Sequence, residues 1–208
     1  MKESSMKGLY IVTPDWDDTA KLLAVSEQAL QGGAVVLQYR HKTAGAGQRR
    51  QQAEQLLALC RRYQRLFIIN DDVELCLALD ADGIHVGGTD AGVAEVRARV
   101  GPDKIVGASC YGSMQLAHQA HRSGASYIAF GGFYPSRVKK YEVSTLPTIL
   151  TTAKAEVPLP SVVIGGMTQQ NAAPLVAAGA DMVAAISSVY LAEDPVAAAR
   201  EFVALFAK

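Results

Sequence analysis

The stretch "FIINDDVELCLALDADGIHVGGTD", residues 67–90, carries the reading that decides the fold. One apolar run, Phe67 to Ile69, halts at Asn70-Asp71-Asp72, and a second, Gly83 to Val86, halts at Gly87-Gly88-Thr89-Asp90. Short apolar runs bounded by turn residues are the pattern of strands buried on both faces. Between them "VELCLAL" reads as a short helix that Asp72 would cap. Strand, helix and strand in that order form a βαβ unit with parallel strands. Carboxylates just beyond such strands pack poorly, because charge is costly to bury unless paired or metal-bound. Both strand ends therefore face a partner for negative charge.

The same alternation extends to both ends of the chain. Strands are expected at Leu9–Thr13, Val35–Tyr39, Phe67–Asn70, Gly83–Val86, Ile105–Ala108, Tyr127–Phe130, Ser161–Ile164 and Met182–Ile186. Helical periodicity fills 20–31, 48–63, 93–100, 114–122, 169–178 and 196–206, with a weaker helix over 144–154 whose first turn holds Pro147. "GGAVV" at 32, "DADGI" at 80, "SGASYI" at 123 and "AGADMV" at 178 echo one another before every second strand, each supplying a residue that tolerates the left-handed conformation after a helix. Eight units without a compositional break predict an α/β chain folded as one (β/α)8 TIM barrel over residues 1–208, with 1–7 as a disordered N-terminal segment. An open doubly wound sheet fits less well, since "YIVTPDWDD" after the first strand has no GxGxxG.

Composition narrows the function classes. Of 208 residues, 50% are hydrophobic, and 20 basic residues balance 20 acidic ones. That balance argues against nucleic acid or a membrane surface as partner, although a local cluster can still bind phosphates. The N-terminal "MKESSMKGLYIVTP" is neither a secretory signal nor a membrane span. Cys60, Cys76 and Cys110 are widely spaced and lack a CxxC pair, which fits a reducing cytoplasm rather than a disulfide or zinc framework. Cys110 reads as a packed bystander thiol. A homo-oligomer stays compatible with all of this.

In a barrel of this kind the working face lies at the carboxyl ends of the strands. After the second strand comes Gln38-Tyr39-Arg40-His41-Lys42, where an extended chain puts Gln38, Arg40 and Lys42 on one face. A guanidinium beside an ammonium suits a diphosphate, and a solvated loop is the plainer alternative. The following "HKTAGAGQ" has the small residues a closing loop uses. Asp71 and Asp90, from neighbouring strand ends, form a candidate pair for one magnesium ion; Asp72 has its capping role, and helix capping by both acids at 71 and 72 is the alternative. His85 reads as a packed strand residue.

Ser109 follows the fifth strand, and "GGFYPSRVKK" with Ser136, Lys139 and Lys140 follows the sixth. "IGGMT" and "AISSV" follow the seventh and eighth, the usual phosphate site of this barrel. Arg49, Arg50, Arg61, Arg62 and Arg65, on or beside the second helix, read as a solvated face. Trp16, Tyr10, Tyr39 and Tyr134 either line the pocket or pack.

These residues resemble the thiamine phosphate synthases (thiamine phosphate pyrophosphorylases), from Gly8 to about Asp194. The resemblance rests on "QYRHK" at 38–42, "INDDVELCLALDADGIHVG" at 69–87 with Asp90, "GAS" at 107–109, "GGFYPSRVKK" at 131–140, "IGGMTQQNAAPLVAAGAD" at 164–181 and "AIS" at 185–187. It implies a transferase that joins 4-amino-2-methyl-5-hydroxymethylpyrimidine diphosphate to 4-methyl-5-(2-phosphooxyethyl)thiazole, or its carboxylated form, giving thiamine phosphate and diphosphate. Gln38, Tyr39, Arg40, His41, Lys42, Asn70, Ser109 and Lys139 would hold the pyrimidine diphosphate. Asp71 and Asp90 would hold Mg2+, and Ser136, Arg137, Val138, Gly166, Ile186 and Ser187 the thiazole phosphate. Arg40, Lys42, Ser109 and Lys139 would act on the reacting groups in a dissociative reaction that needs no general base.

The chain departs from the family at Val138, where a hydroxyl is usual, at Ser136 and Gly88, and at Cys110-Tyr111 after Ser109. Two rivals remain at this stage. A thiazole tautomerase, an isomerase on the same barrel without metal, lacks the complete Gln-x-Arg-x-Lys plus Asp/Asp set. A non-catalytic sensor of a thiamine precursor would show a degraded metal site. The resemblance yields a prediction: Lys139→Ala slows single turnover more than it weakens thiazole phosphate binding. Equal single-turnover rates for variant and wild type remove Lys139 from the reacting group.

Overall fold

A computed structural model describes residues 6–87, 92–135 and 145–207. The chain runs β1(Gly8–Val12), α1(Thr19–Gln31), β2(Val36–Tyr39), α2(Ala46–Arg62), β3(Leu66–Asn70), α3(Val73–Ala78), β4(Gly83–Val86), α4(Val93–Val100) and β5(Ile105–Tyr111). It continues α5(Met114–Arg122), β6(Tyr127–Phe130), α6(Thr148–Glu156), β7(Ser161–Ile164), α7(Gln169–Ala177), β8(Met182–Ala185), α8(Ser187–Tyr190) and α9(Pro195–Ala204). The strands pair in parallel, each with its sequence neighbours, and β1 pairs β8, so the sheet closes as the expected TIM barrel.

Alternation along each strand sorts the apolar residues into two concentric cores. Tyr10, Val36, Ile68, Ile105, Tyr127 and Met182 point into the barrel. Leu9, Leu37, Phe67, Ile84, Val106 and Val183 point outward under the helices. The helices begin where side chains satisfy their free N–H groups: Asp18, Asp72, Ser113 and Asp194 each accept from the backbone three residues on, and Thr168 with Asn171 closes a capping box.

The sequence echo has a structural cause. Gly33, Asp80, Gly124 and Gly179 all take positive φ, at 104°, 51°, 87° and 115°, and turn each helix back into the sheet. The position before β4, β6 and β8 holds Asp82, Ser126 or Asp181, whose side chain accepts an N–H from the preceding strand at Phe67 (3.0 Å), Val106 (3.1 Å) or Ser161 (2.9 Å).

Several boundaries differ from expectation; β5 runs on to Tyr111 and so takes in Ser109, expected just after it. Met6 is buried in the inner core, so the described chain starts inside the segment expected to be disordered. Pro147 sits at the N-cap of α6 rather than in its first turn. Helix α2 begins at Ala46, which takes part of the small-residue stretch after Lys42 into its first turn. The eighth strand ends at Ala185, because Ile186 caps the four-residue helix α8, too short to show a periodicity. No helix among the described residues is long and apolar enough to cross a membrane.

One backbone position governs the barrel interior. A Cβ at Gly107 would lie 2.0 Å from Tyr127 Cζ and 2.2 Å from its hydroxyl oxygen, so only glycine lets Tyr127 lie across β5. Gly107→Ala is therefore expected to lower unfolding free energy by about 1–3 kcal/mol, as overpacked cores do. Thermal or urea denaturation checks this, and an unchanged midpoint would show that Tyr127 moves aside freely.

Candidate active site

The inner residues of the strands carry a line of polar side chains across the barrel. Gln38 Nε2 donates to the Tyr10 hydroxyl at 2.6 Å, and the Tyr10 and Tyr127 hydroxyls lie 2.8 Å apart. The Tyr127 hydroxyl meets His85 Nδ1 at 2.9 Å, and His85 Nε2 meets Ser109 Oγ at 3.0 Å. His85 stacks on Tyr127 at 5.6 Å. The chain thus links Gln38 and Ser109, two candidate pyrimidine-site residues, through groups that are themselves buried. His85 is a packed strand residue, as expected, with both nitrogens occupied. Burial holds both phenols above their usual range, so they stay protonated.

Above this floor the rim is charged. β2 ends at Tyr39, and the side chains of Gln38, Arg40 and Lys42 go to three different partners. Arg40 swings toward the β1 loop, where its Nη1 lies 3.0 Å from both oxygens of Asp15. Asp15 also accepts the Lys42 N–H at 2.8 Å, and Thr13 bonds both backbone groups of Arg40 at 2.8 Å. The Lys42 ammonium pairs across to the Asp71 carboxylate, at the end of the neighbouring strand. Asn70 Nδ2 donates to the same carboxylate at 2.6 Å and the Gly87 N–H approaches it at 3.3 Å. Asp71 itself takes φ 62°, which aims its side chain at the rim, while Asp72 caps α3 through Leu75 N at 2.9 Å. Asp72 thus takes the capping role expected of it, and Asp71 does not cap the helix.

The other two residues of "QYRHK", Tyr39 and His41, are each bonded locally while still lining a cavity beside Lys42. Tyr39 points outward and donates to Gln52 Oε1 at 2.9 Å. His41 folds into its own loop: Nδ1 accepts from Ala44 N at 3.1 Å, and Nε2 lies 3.3 Å from Asp17. Trp16 packs edge-on against Tyr190, and Tyr10 belongs to the inner line, so the aromatic residues split between packing and site.

Two cavities open at the carboxyl ends of the strands. One, of about 260 Å³, is lined by Lys42, Arg49, Asn70, Asp71 and the outer side of Tyr39. The other, of about 410 Å³, is lined by Ser109, Tyr134, Gly166, Ile186 and Ser187 among others. Gly165 and Gly166 both take positive φ, 103° and 62°, and a Cβ at Gly166 would lie 2.1 Å from the Pro135 carbonyl. The candidate thiazole residues Gly166, Ile186 and Ser187 thus come together, with Ser109 reaching the same cavity. Asp90, Ser136, Arg137, Val138 and Lys139 lie outside the described residues.

Three cysteines are free and buried. Burial pushes the Cys110 thiol up to about 12 and the Cys76 thiol up to about 11, so neither is a thiolate near neutral pH. Among the described residues no group of three His, Cys, Asp or Glu side chains forms a metal cage. Asp15, Thr13, Tyr127 and Arg49 belong to this region although sequence reasoning did not select the first three and placed Arg49 on a solvated face. Asp15 had a signal, a carboxylate just after a strand like those at 71 and 90. For Arg49 the signal lay in helix spacing: Gln52 and Ala53, three and four residues on, are buried, which sets Arg49 at the edge of the buried stripe.

The chain is 68% identical over 206 residues to the thiamine-phosphate synthase of Janthinobacterium sp. (strain Marseille), covering 99% of this chain and 100% of that one. It is 49% identical over 201 residues to the thiamine-phosphate synthase of Methylobacillus flagellatus, covering 97% and 96% of the two chains. The solved thiamine phosphate pyrophosphorylase from Pyrococcus furiosus superposes with a TM-score of 0.84 at 31% identity, covering 97% of this chain and 96% of that one. Residues 9–189 match the profile of one family, and with relatives this similar along their whole length the chain belongs to it: the thiamine monophosphate synthases.

Proposed function

We propose that this chain condenses the aminopyrimidine methyl diphosphate with the thiazole phosphate, or its carboxylated form, to give thiamine phosphate and diphosphate, with carbon dioxide also released from the carboxylated form. The observation that carries the proposal is the meeting of Lys42 and Asp71 beside Asn70 at the ends of β2 and β3. An ammonium and a carboxylate share a cavity there with room for a ligand. The three buried, free thiols fit a reducing cytoplasm as the setting.

The bond accounting sets the demands on the site. The carbon–oxygen bond to diphosphate breaks with its electron pair leaving on the diphosphate oxygen. The methylene carbon becomes cationic, and the electron-rich aminopyrimidine ring delocalises that charge. The thiazole nitrogen lone pair then forms the new carbon–nitrogen bond. No proton has to move in either step, which agrees with thiols held protonated and His85 engaged on both sides.

Stabilising the departing charge is the main task. Arg40 and Lys42 are already held at the rim by Asp15 and Asp71, and Lys139 joins them in this reading. Lys42 lies half in water, where ion pairs are worth only about 0–1 kcal/mol, so a diphosphate can draw it from Asp71; Arg40 is more buried beside Asp15. Magnesium takes carboxylate oxygens, which Asp71 presents once Lys42 turns to the diphosphate; it would be held by Asp71 and Asp90 and would supply further positive charge beside the leaving group. Gln38 and Ser109, fixed by the inner hydrogen-bonded line, orient the pyrimidine between the two cavities. Gly166, Ile186 and Ser187, with the 136–138 turn, take the thiazole phosphate on backbone N–H groups and hydroxyls.

The direct test mixes purified protein with both substrates and magnesium. Thiamine phosphate should form, and a chelator should abolish it; precursor binding without product would instead indicate a sensor. Adjacent carboxylates give a sharper test. Asp71→Asn keeps a residue that accepts positive φ and should lower kcat about 10²-fold or more with little change in melting temperature. Asp72→Ala should cost about 1 kcal/mol of stability through the lost cap and leave turnover within a few-fold. The reverse pattern would mean that Asp71 is structural.

A further inference from the structure

Arg49 stands apart from the other arginines on its helix. Arg50 pairs with Glu54 one turn on, Arg62 with Glu27, and both are largely exposed. Arg49 is half-buried in the first turns of α2 and forms part of the wall of the smaller cavity. Its Nε is buried and has no hydrogen-bond partner among the described residues. A surface cation would leave that N–H in water; here it is withdrawn from solvent without an acceptor, an arrangement that costs stability unless something supplies one.

The local carboxylates do not supply it. Asp71 is engaged by Lys42 and Asn70, and Asp72 by the start of α3. Tyr39, also in the wall, donates its hydroxyl to Gln52. The charge of Arg49 is felt there: burial raises the Tyr39 phenol, and Arg49 is the main influence opposing that rise. The cavity therefore holds two cations, Lys42 and Arg49, and the proposed function gives a role only to the first.

We infer that Arg49 is a further diphosphate-binding residue, its guanidinium reaching the terminal phosphate of the pyrimidine substrate and then of the released diphosphate. This rests on the synthase reading, since Lys42, Asn70 and Asp71 of the same cavity are its proposed diphosphate and metal residues. A guanidinium presents a planar fork that matches phosphate oxygens, and a helix-borne side chain holds that fork more rigidly than the loop holds Lys42. Arg49 would thus grip the leaving group at its far end, away from the breaking bond.

Calorimetric titration of inorganic diphosphate in the presence of magnesium tests this on the intact protein. Arg49→Met and Arg49→Gln should each weaken diphosphate about tenfold or more, the range for loss of a charge-assisted hydrogen bond. Arg49→Lys should recover part of the loss, and the paired surface control Arg50→Met should match wild type. In turnover, KM for the pyrimidine diphosphate should rise while KM for the thiazole phosphate stays unchanged. Folded Arg49 variants, judged by their melting curves, that bind diphosphate within twofold of wild type would overturn the inference alone. Wild type that binds no diphosphate would overturn the synthase reading beneath it.

Discussion

The Tyr10 and Tyr127 hydroxyls meet at 2.8 Å in the middle of the barrel, and the site is built on that contact. Two phenols inside a closed sheet need partners, since a buried unpaired hydroxyl costs about 1–3 kcal/mol. They find each other, then Gln38 on one side and His85 on the other, and His85 hands the line on to Ser109. The apolar lower layer of the barrel thereby passes into a polar upper layer with every member of the line bonded. A satisfied network of this kind also specifies a single arrangement of its side chains. Gln38 and Ser109 are consequently held at fixed places on opposite sides of the barrel before any ligand arrives, and the bare backbone at Gly107 is what makes room for the ring between them.

The rim solves a different problem, keeping cations together without an anion. Arg40 leans on Asp15 and Lys42 on Asp71, while the Lys42 backbone also bonds Asp15, so two acids brace two bases through three contacts. Bracing by partly exposed pairs is weak, and weakness is useful here. A strong, dry ion pair would have to be broken at a cost of several kcal/mol before diphosphate could enter. Partial exposure keeps the pairs exchangeable while restricting where the side chains go. Preorganisation and availability are both met, at the level of side-chain pairing rather than backbone movement.

The barrel could be read almost wholly from apolar runs at strand spacing and turn residues between them, because closure buries every strand on both faces. What escaped was information held in three dimensions. The run at 38–42 suggests one extended face; β2 stops at Tyr39, and Arg40 and Lys42 pair with different carboxylates, Asp15 and Asp71. Helix α8 has four residues and no period to detect. Arg49 looked like one more charge in a basic helix; its place beside the buried stripe became clear only when Gln52 and Ala53 were seen packed. Asp71 and Asp72, by contrast, were separable in sequence, since only the second precedes a helical run at capping distance.

The two cavities differ in kind, and the difference suits the two proposed ligands. The one at β2 and β3 is small and charged, suited to a metal-bearing diphosphate. The one at the ends of β5 to β8 is larger and lined by glycines, serines and Ile186, suited to a neutral heterocycle with its phosphate held by backbone and hydroxyl groups. Val138 stands where the family usually has a hydroxyl. The described wall keeps Ser187 and Ser188, and the Ser188 hydroxyl is buried without a partner among the described residues. The cavity thus holds more hydroxyl groups than the fold consumes, and the close approach of backbone at Gly165 and Gly166 does not depend on any side chain. In the proposed reading, a hydroxyl lost at position 138 falls on the half of the site with donors to spare, whereas in the charged half Lys42 and Asp71 are already engaged and Arg49 Nε is left without a partner among the described residues.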